Sequence, residues 1–344
     1  MNRARSIALS FILSCAAMPA LASTVDENAQ QARASSDAIS AQERADTIAM
    51  ERASDRAATS ADLRLRVLAA DWNINLPGLP DHVRITTPEV RRPTIKELAD
   101  AAAGSTDPYV LAMMASRCGA AQAADCDASS FLNRWTQVAP DDARAWLRLA
   151  LWEKLQGHGA ASIAAFQHIT DANSLSDPHA EGLRIALEAS KHDASSLLPL
   201  AALAANAASM ETLPQAVDLP DWCGREQSLA PACHRLVSLM SKRGSLIDLV
   251  IAMSIQKRLP GTTATELAAL DRANKAYQWV LFRMDKCPLS GAAPNATSAS
   301  ACTTEQVIAG MALSGEISYA NTQLKRLGMR IDEAAAAYDS PDAR

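Results

Sequence analysis

Ser254 and Lys257 stand in the S-x-x-K spacing, which sets a serine nucleophile one helical turn from a lysine. The S-D-N and K-T-G segments that complete such a centre are missing. The flanking residues have the pattern of an ordinary amphipathic helix, so the pair is read as helix surface. The six histidines, His82, His158, His168, His179, His192 and His234, are spread over loops and helix ends without ligand spacing. His158 and His168 lie close in sequence, yet their separation does not put them on one helix face. No G-x-S-x-G, H-E-x-x-H, P-loop or dinucleotide-type glycine pattern occurs. The expectation is no enzyme: no catalytic residue, no cofactor and no metal ligand.

Cysteines hold the remaining chemistry. Of seven, six form three local pairs: Cys118 with Cys126, Cys223 with Cys233, and Cys287 with Cys302. An even count in an exported chain points to disulfides. Each pair sits near a junction of two helical patterns, where a helix hairpin brings its ends together, so local pairing is expected. A zinc site drawing on Cys233 and His234 would need tight C-x(2–4)-C spacing, which none of the pairs has. A C-x-x-C redox motif is also missing.

Export itself is read from the first residues. Arg3 and Arg5 precede an uncharged run from Ser6 to Ala17, and Ala20-Leu21-Ala22 is an A-x-A peptidase site. Residues 1–22 are therefore expected to be a signal peptide, since a spanning helix needs roughly 20 apolar residues. The alternative uses Ile12-Leu13-Ser14-Cys15 as a lipobox, which would make the product a lipoprotein anchored through Cys15. No later segment is long and apolar enough to span a membrane, so a periplasmic or secreted chain without a transmembrane segment is expected. The net charge of −5 comes from scattered residues, and the footprint of a nucleic-acid binder is missing. Abundant Ala, with Leu, Arg, Glu, Gln and Met and only 4% aromatic residues, argues for an all-α fold.

These pieces need elements to position them. Residues 23–60 contain no aromatic side chain and read as a flexible or loosely helical lead-in. Over 61–106 a short helix carrying Leu63, Val67, Leu68 and Trp72 is followed by a proline-rich linker and an opening helix. Thr94 and Glu97 form the capping box of that helix. Residues 173–330 read as further α-hairpins: 178–190, 197–208, 230–241, 245–258, 262–286 and a last long helix from Thr303 to near Gly328. A basic end, Lys242-Arg243, and Gly244 separate two of these. Residues 331–344 read as a C-terminal tail.

Within 107–172 two segments repeat at a spacing of 34 residues. The second has Trp146 and Leu147-Arg148-Leu149-Ala150 on its first helix, Gln156-Gly157 at a turn, and Ile163 and Phe166 on its second helix. In the first, Ala128, Leu132 and Trp135 take the second-helix core positions, and Pro140-Asp141-Asp142 marks the junction. The segment resembles the tetratricopeptide repeat, TPR, in shape more than in letter. Ala112, Glu153 and Ser162 stand where that family has Trp, Tyr and Ala. The resemblance implies a row of antiparallel α-hairpins, a TPR-like α-solenoid stapled here by local disulfides, whose first helices line a groove. Trp135, Trp146 and Trp152 are expected in its core. Carried over by position, the groove-facing residues would be Arg144, Leu147, Leu151 and Lys154. The implied function is a protein- or peptide-binding scaffold in the cell envelope, with no nucleic-acid partner. The alternative is a structural or secreted helical protein without a binding groove.

Overall fold

Runs of Ala, Leu, Arg and Met cost little backbone and rotamer freedom in a helix, and the described helices are rich in them. The computed structural model describes residues 48–70, 91–121, 126–191, 193, 195, 197–205, 218–283 and 304–340. Among them there is no strand; one isolated bridge pairs Asp142 with Ser174. The fold is all-α. The proposed leader, Cys15, most of the proline-rich linker and the Cys287–Cys302 pair lie outside the described residues.

In chain order the helices are α1 (48–58), α2 (Leu63–Ala69), α3 (Ile95–Ala102), α4 (Pro108–Ala121), α5 (Ala128–Val138), α6 (Ala143–Leu155) and α7 (Gly159–Gln167). A 3-10 turn over His168–Asp171 extends α7. There follow α8 (Pro178–Ser190), α9 (197–205), α10 (Leu219–Arg225), α11 (Ala230–Arg243) and α12 (Leu246–Gln256). The last four are α13 (Ala264–Arg283), α14 (Thr304–Ser314), α15 (Glu316–Arg326) and α16 (Ile331–Tyr338). Helix α4 packs on α5, α5 on α6, α6 on α7, α11 on α12 and α12 on α13. A long-range pairing joins α14 to α8.

Local signals set most boundaries. Thr94 and Glu97 close the expected capping box at α3. Asp107, Asp142 and Asp177 each accept backbone N–H bonds at the starts of α4, α6 and α8, so helix starts recur every 35 residues. Two disulfides are formed, Cys118–Cys126 and Cys223–Cys233, the second tying α10 to α11.

The described part of the lead-in takes the helical alternative over 48–58 and buries Ala53, Ala57 and Ala58, with Asp55 ion-paired to Arg92 at 2.6 Å. Two expectations change. The expected tail contains α16, whose Ala334 and Ala335 seal a second core with Tyr277, Trp279 and Val280 of α13 and Ile317, Ala320 and Leu324 of α15. The last long helix is two helices, because Gly315 adopts φ +76° and ends α14 with its N–H on the Met311 carbonyl at 2.8 Å. A left-handed residue cannot continue a right-handed helix, and glycine adopts that conformation without a Cβ penalty.

The break lets α15 fold back so closely on α14 that a Cβ at Gly310 would lie 2.1 Å from Cε2 of Tyr319. Tyr319 is buried and has little room to move. Gly310→Ala should therefore destabilise by about 1–3 kcal/mol of overpacking, despite the roughly 1 kcal/mol that alanine gains in an isolated helix. In a Tyr319→Ala background the same change should become neutral or favourable. Thermal melts of the four variants check this, and a stabilised Gly310→Ala single variant contradicts it.

Candidate functional site

Two places bring polar chemistry together. In the first, the starts of α6, α8, α12 and α15 meet. Asp142 Oδ1 accepts the Arg144 and Ser176 amides at 3.0 and 2.9 Å, while Arg144 Nε donates to the Ser176 carbonyl at 2.6 Å. The stretch before α8 is thus held against the start of α6 from both sides of one residue. Arg144 Nη2 reaches Asp248 Oδ2 at 2.6 Å, with side-chain exposures of 6% and 1%. Asp248 also completes a capping box with Ser245, whose amide and hydroxyl donate to the same Oδ2 at 2.8 and 3.1 Å.

Beside this pair lies a second one. His179 Nδ1 is 2.9 Å from Glu316 Oε1, and Glu316 Oε2 accepts the Leu246 amide at 2.8 Å. Asp177 Oδ1 caps α8 through the His179 and Ala180 amides. Four helix N-termini carry partial positive charge here, and Asp142, Asp177, Asp248 and Glu316 are the carboxylates that answer it. Burial pulls the His179 pKa down, but the bond to Glu316 and the charges of Glu316 and Asp177 outweigh it, and the net direction is up. Burial pushes Glu316 up, yet its bond to His179, the His179 charge and the Leu246 amide leave it lowered. For Asp177 burial dominates and, helped by Glu316 and Asp248, raises its pKa against the pull of His179 and Arg144.

The second place is a surface. Lys154, exposed near the end of α6, holds Nζ 4.8 Å above the Trp222 ring of α10, a cation–π contact. Phe166 of α7 meets the same indole edge-on at 4.9 Å. Leu155, which follows Lys154 in the chain, is 74% exposed. Asp221, the residue before Trp222, is ion-paired with Arg225 and Arg258 at 3.1 and 3.2 Å.

The four residues carried over from the repeat resemblance do not form one open face. Arg144, Leu147 and Leu151 are buried by this chain itself, and Lys154 alone remains exposed. Trp135 is fully buried, Trp146 stacks on His168 at 4.0 Å, and Trp152 lies against Gly119. Ser254 donates its hydroxyl to the Val250 carbonyl at 3.0 Å, a bond within its own helix. His158 pairs with Glu153 at 2.8 Å. Among the described residues no cluster of three or more His, Cys, Asp or Glu side chains is arranged to hold a metal ion, and no helix is long and apolar enough to cross a membrane. The repeat resemblance singled out Lys154, but Trp222 escaped the sequence reading because it lies far from Lys154 in the chain and belongs to no motif.

No protein-family model matches the chain, and neither does a curated protein or a solved structure.

Proposed function

We propose that this chain is an exported, disulfide-stapled helical scaffold that binds a protein or peptide segment through the surface around Trp222. The observation that carries the reading is the Lys154–Trp222 contact, with Leu155, the next residue of the chain, exposed. A cation over an indole, an exposed leucine and two arginines make a mixed basic and apolar patch, and aromatic and arginine side chains are the usual anchors of binding energy. An acidic segment with an apolar anchor complements that patch. The two disulfides fit an oxidising compartment, in line with a periplasmic or secreted location. Helix starts at 35-residue intervals support a TPR-like row of antiparallel hairpins at its centre.

A structural helical protein without a groove is the second reading, favoured by the burial of Arg144, Leu147 and Leu151. The two separate by experiment. A photoreactive residue in place of Leu155, in a full chain that keeps its leader, should crosslink a discrete protein in intact cells. That protein, purified, should bind the chain at least about tenfold more weakly after Lys154→Glu, the loss expected for a hot-spot contact. Unchanged affinity, or no crosslink at this position, assigns the chain to the structural reading.

A further inference from the structure

We propose that the His179–Glu316 pair is a pH-sensitive latch that holds the α14–α15 segment on the body of the protein, closed while His179 is protonated and loosened when it is not.

The geometry is that of a joint. Gly315 breaks the chain between α14 and α15, and the next residue, Glu316, binds in two directions: to His179 on α8 through Oε1 and to the first amide of α12 through Oε2. Helix α14 packs on α8 and α15 on α11 and α13. One carboxylate therefore ties the returning segment to two elements far away in sequence.

The charges around the imidazole decide when the tie holds. On its own element His179 faces Asp177; α6 contributes Arg144, α12 contributes Asp248, and α15 contributes Glu316. Helix α14 carries only Glu305, which is exposed. Helices α2 and α4 also pack on α8, with Arg64 ion-paired to Glu188 near the far end of α8, Arg66 beside it on α2, and the buried Arg117 on α4. Arg144 is committed to Asp248 at 2.6 Å, so the charge set against Glu316 is that of His179. His179 Nε2 and Asp177 Oδ2 are buried and have no hydrogen-bond partner among the described residues. Charge from Asp177 and Glu316 thus governs the protonation of the ring. Once the proton leaves, Glu316 stays as a largely buried carboxylate close to two others.

The sign follows from linkage. A histidine whose folded pKa is raised binds its proton more tightly in the folded state. Its contribution is complete below the ordinary value of 6.5 and is lost as pH rises through the higher folded value. Glu316, lowered from 4.5, keeps its contribution until the pH falls below that value. Asp177, raised from 3.8, acts in the same direction as His179. The latch is tightest from about pH 5 to 6.5 and loosens above neutrality, with opening increasing up to about tenfold per pH unit within the window of the His179 shift.

Hydrogen exchange of the full chain, compared at pH 6 and pH 8 after correction for the intrinsic rate, should show peptides covering 304–326 opening several-fold more at pH 8 than peptides of α4–α7. NMR titration of the imidazole in the wild-type chain, assigned by through-bond correlation to the His179 backbone, should place its midpoint above 6.5. In His179→Gln the pH dependence of the 304–326 peptides should vanish. A midpoint at or below 6.5, or a dependence that survives in His179→Gln, overturns the proposal; the titration reads the wild-type protein and stands even if the variant misfolds.

Discussion

Arg144→Met is expected to lower the free energy of unfolding by about 3–5 kcal/mol, the usual loss when one partner of a buried ion pair is removed. The cost comes from what stays behind. Asp248 is 1% exposed, its Oδ1 has no partner among the described residues, and its Oδ2 would keep only Ser245 as donor. The Ser176 carbonyl would lose the Arg144 donor as well. Pairing Arg144→Met with Asp248→Asn removes the stranded charge but leaves an amide able to stand in the capping box, so the double variant should regain a large part of the loss. Urea titrations of the two single variants and the double variant give the coupling directly. A loss below about 1 kcal/mol for Arg144→Met would show that the pair is solvated in solution and that α6 and α12 are joined by packing alone. Arg144→Glu would be a poor probe of partner binding for the same reason: it sets two carboxylates together inside the protein.

What could be read from the sequence was local. The α8 boundaries, Pro178 to Ser190, the Thr94–Glu97 box and the helix end at Gly244 each depend on residues a few positions apart, and each stands where its pattern put it. Both described disulfides also join near neighbours. The polar junction could not be read that way. Asp142, Asp177, Asp248 and Glu316 each look like an unremarkable helix start, and only the packing of α6, α8, α12 and α15 makes them one network. Arg144 shows the limit of reasoning by resemblance: its position along a first helix suggested a groove, whereas Asp248, more than a hundred residues later, takes it inside. Gly315 was hidden by its neighbours, because an isolated glycine within a helical pattern is tolerated and only its positive φ reveals the break. Helix α16 reads as a tail because the two residues it buries fully, Ala334 and Ala335, are alanines and give only a weak apolar signal.

Replacing both Cys223 and Cys233 by alanine is expected to cost about 2.5–3 kcal/mol in the chain-entropy account of a loop this short, with a further penalty for the sulfur volume removed. Both half-cystines are buried in the main core. They fasten α10, seven residues long, to α11. A helix of that length has little stability of its own, so its position depends on this bond and on the burial of Leu219 and Leu229 to either side. Trp222 precedes Cys223, and Lys154 and Phe166 both rest on its indole. Loss of the bond should therefore do two things at once: lower the urea midpoint of the whole chain, and weaken crosslinking at Leu155 even under conditions where the protein remains folded. Cys118→Ala with Cys126→Ala should share the first effect without the second, because α4 and α5 do not carry the indole. If both double variants crosslink like wild type, α10 holds its place by packing, and the staple acts on the unfolded chain alone.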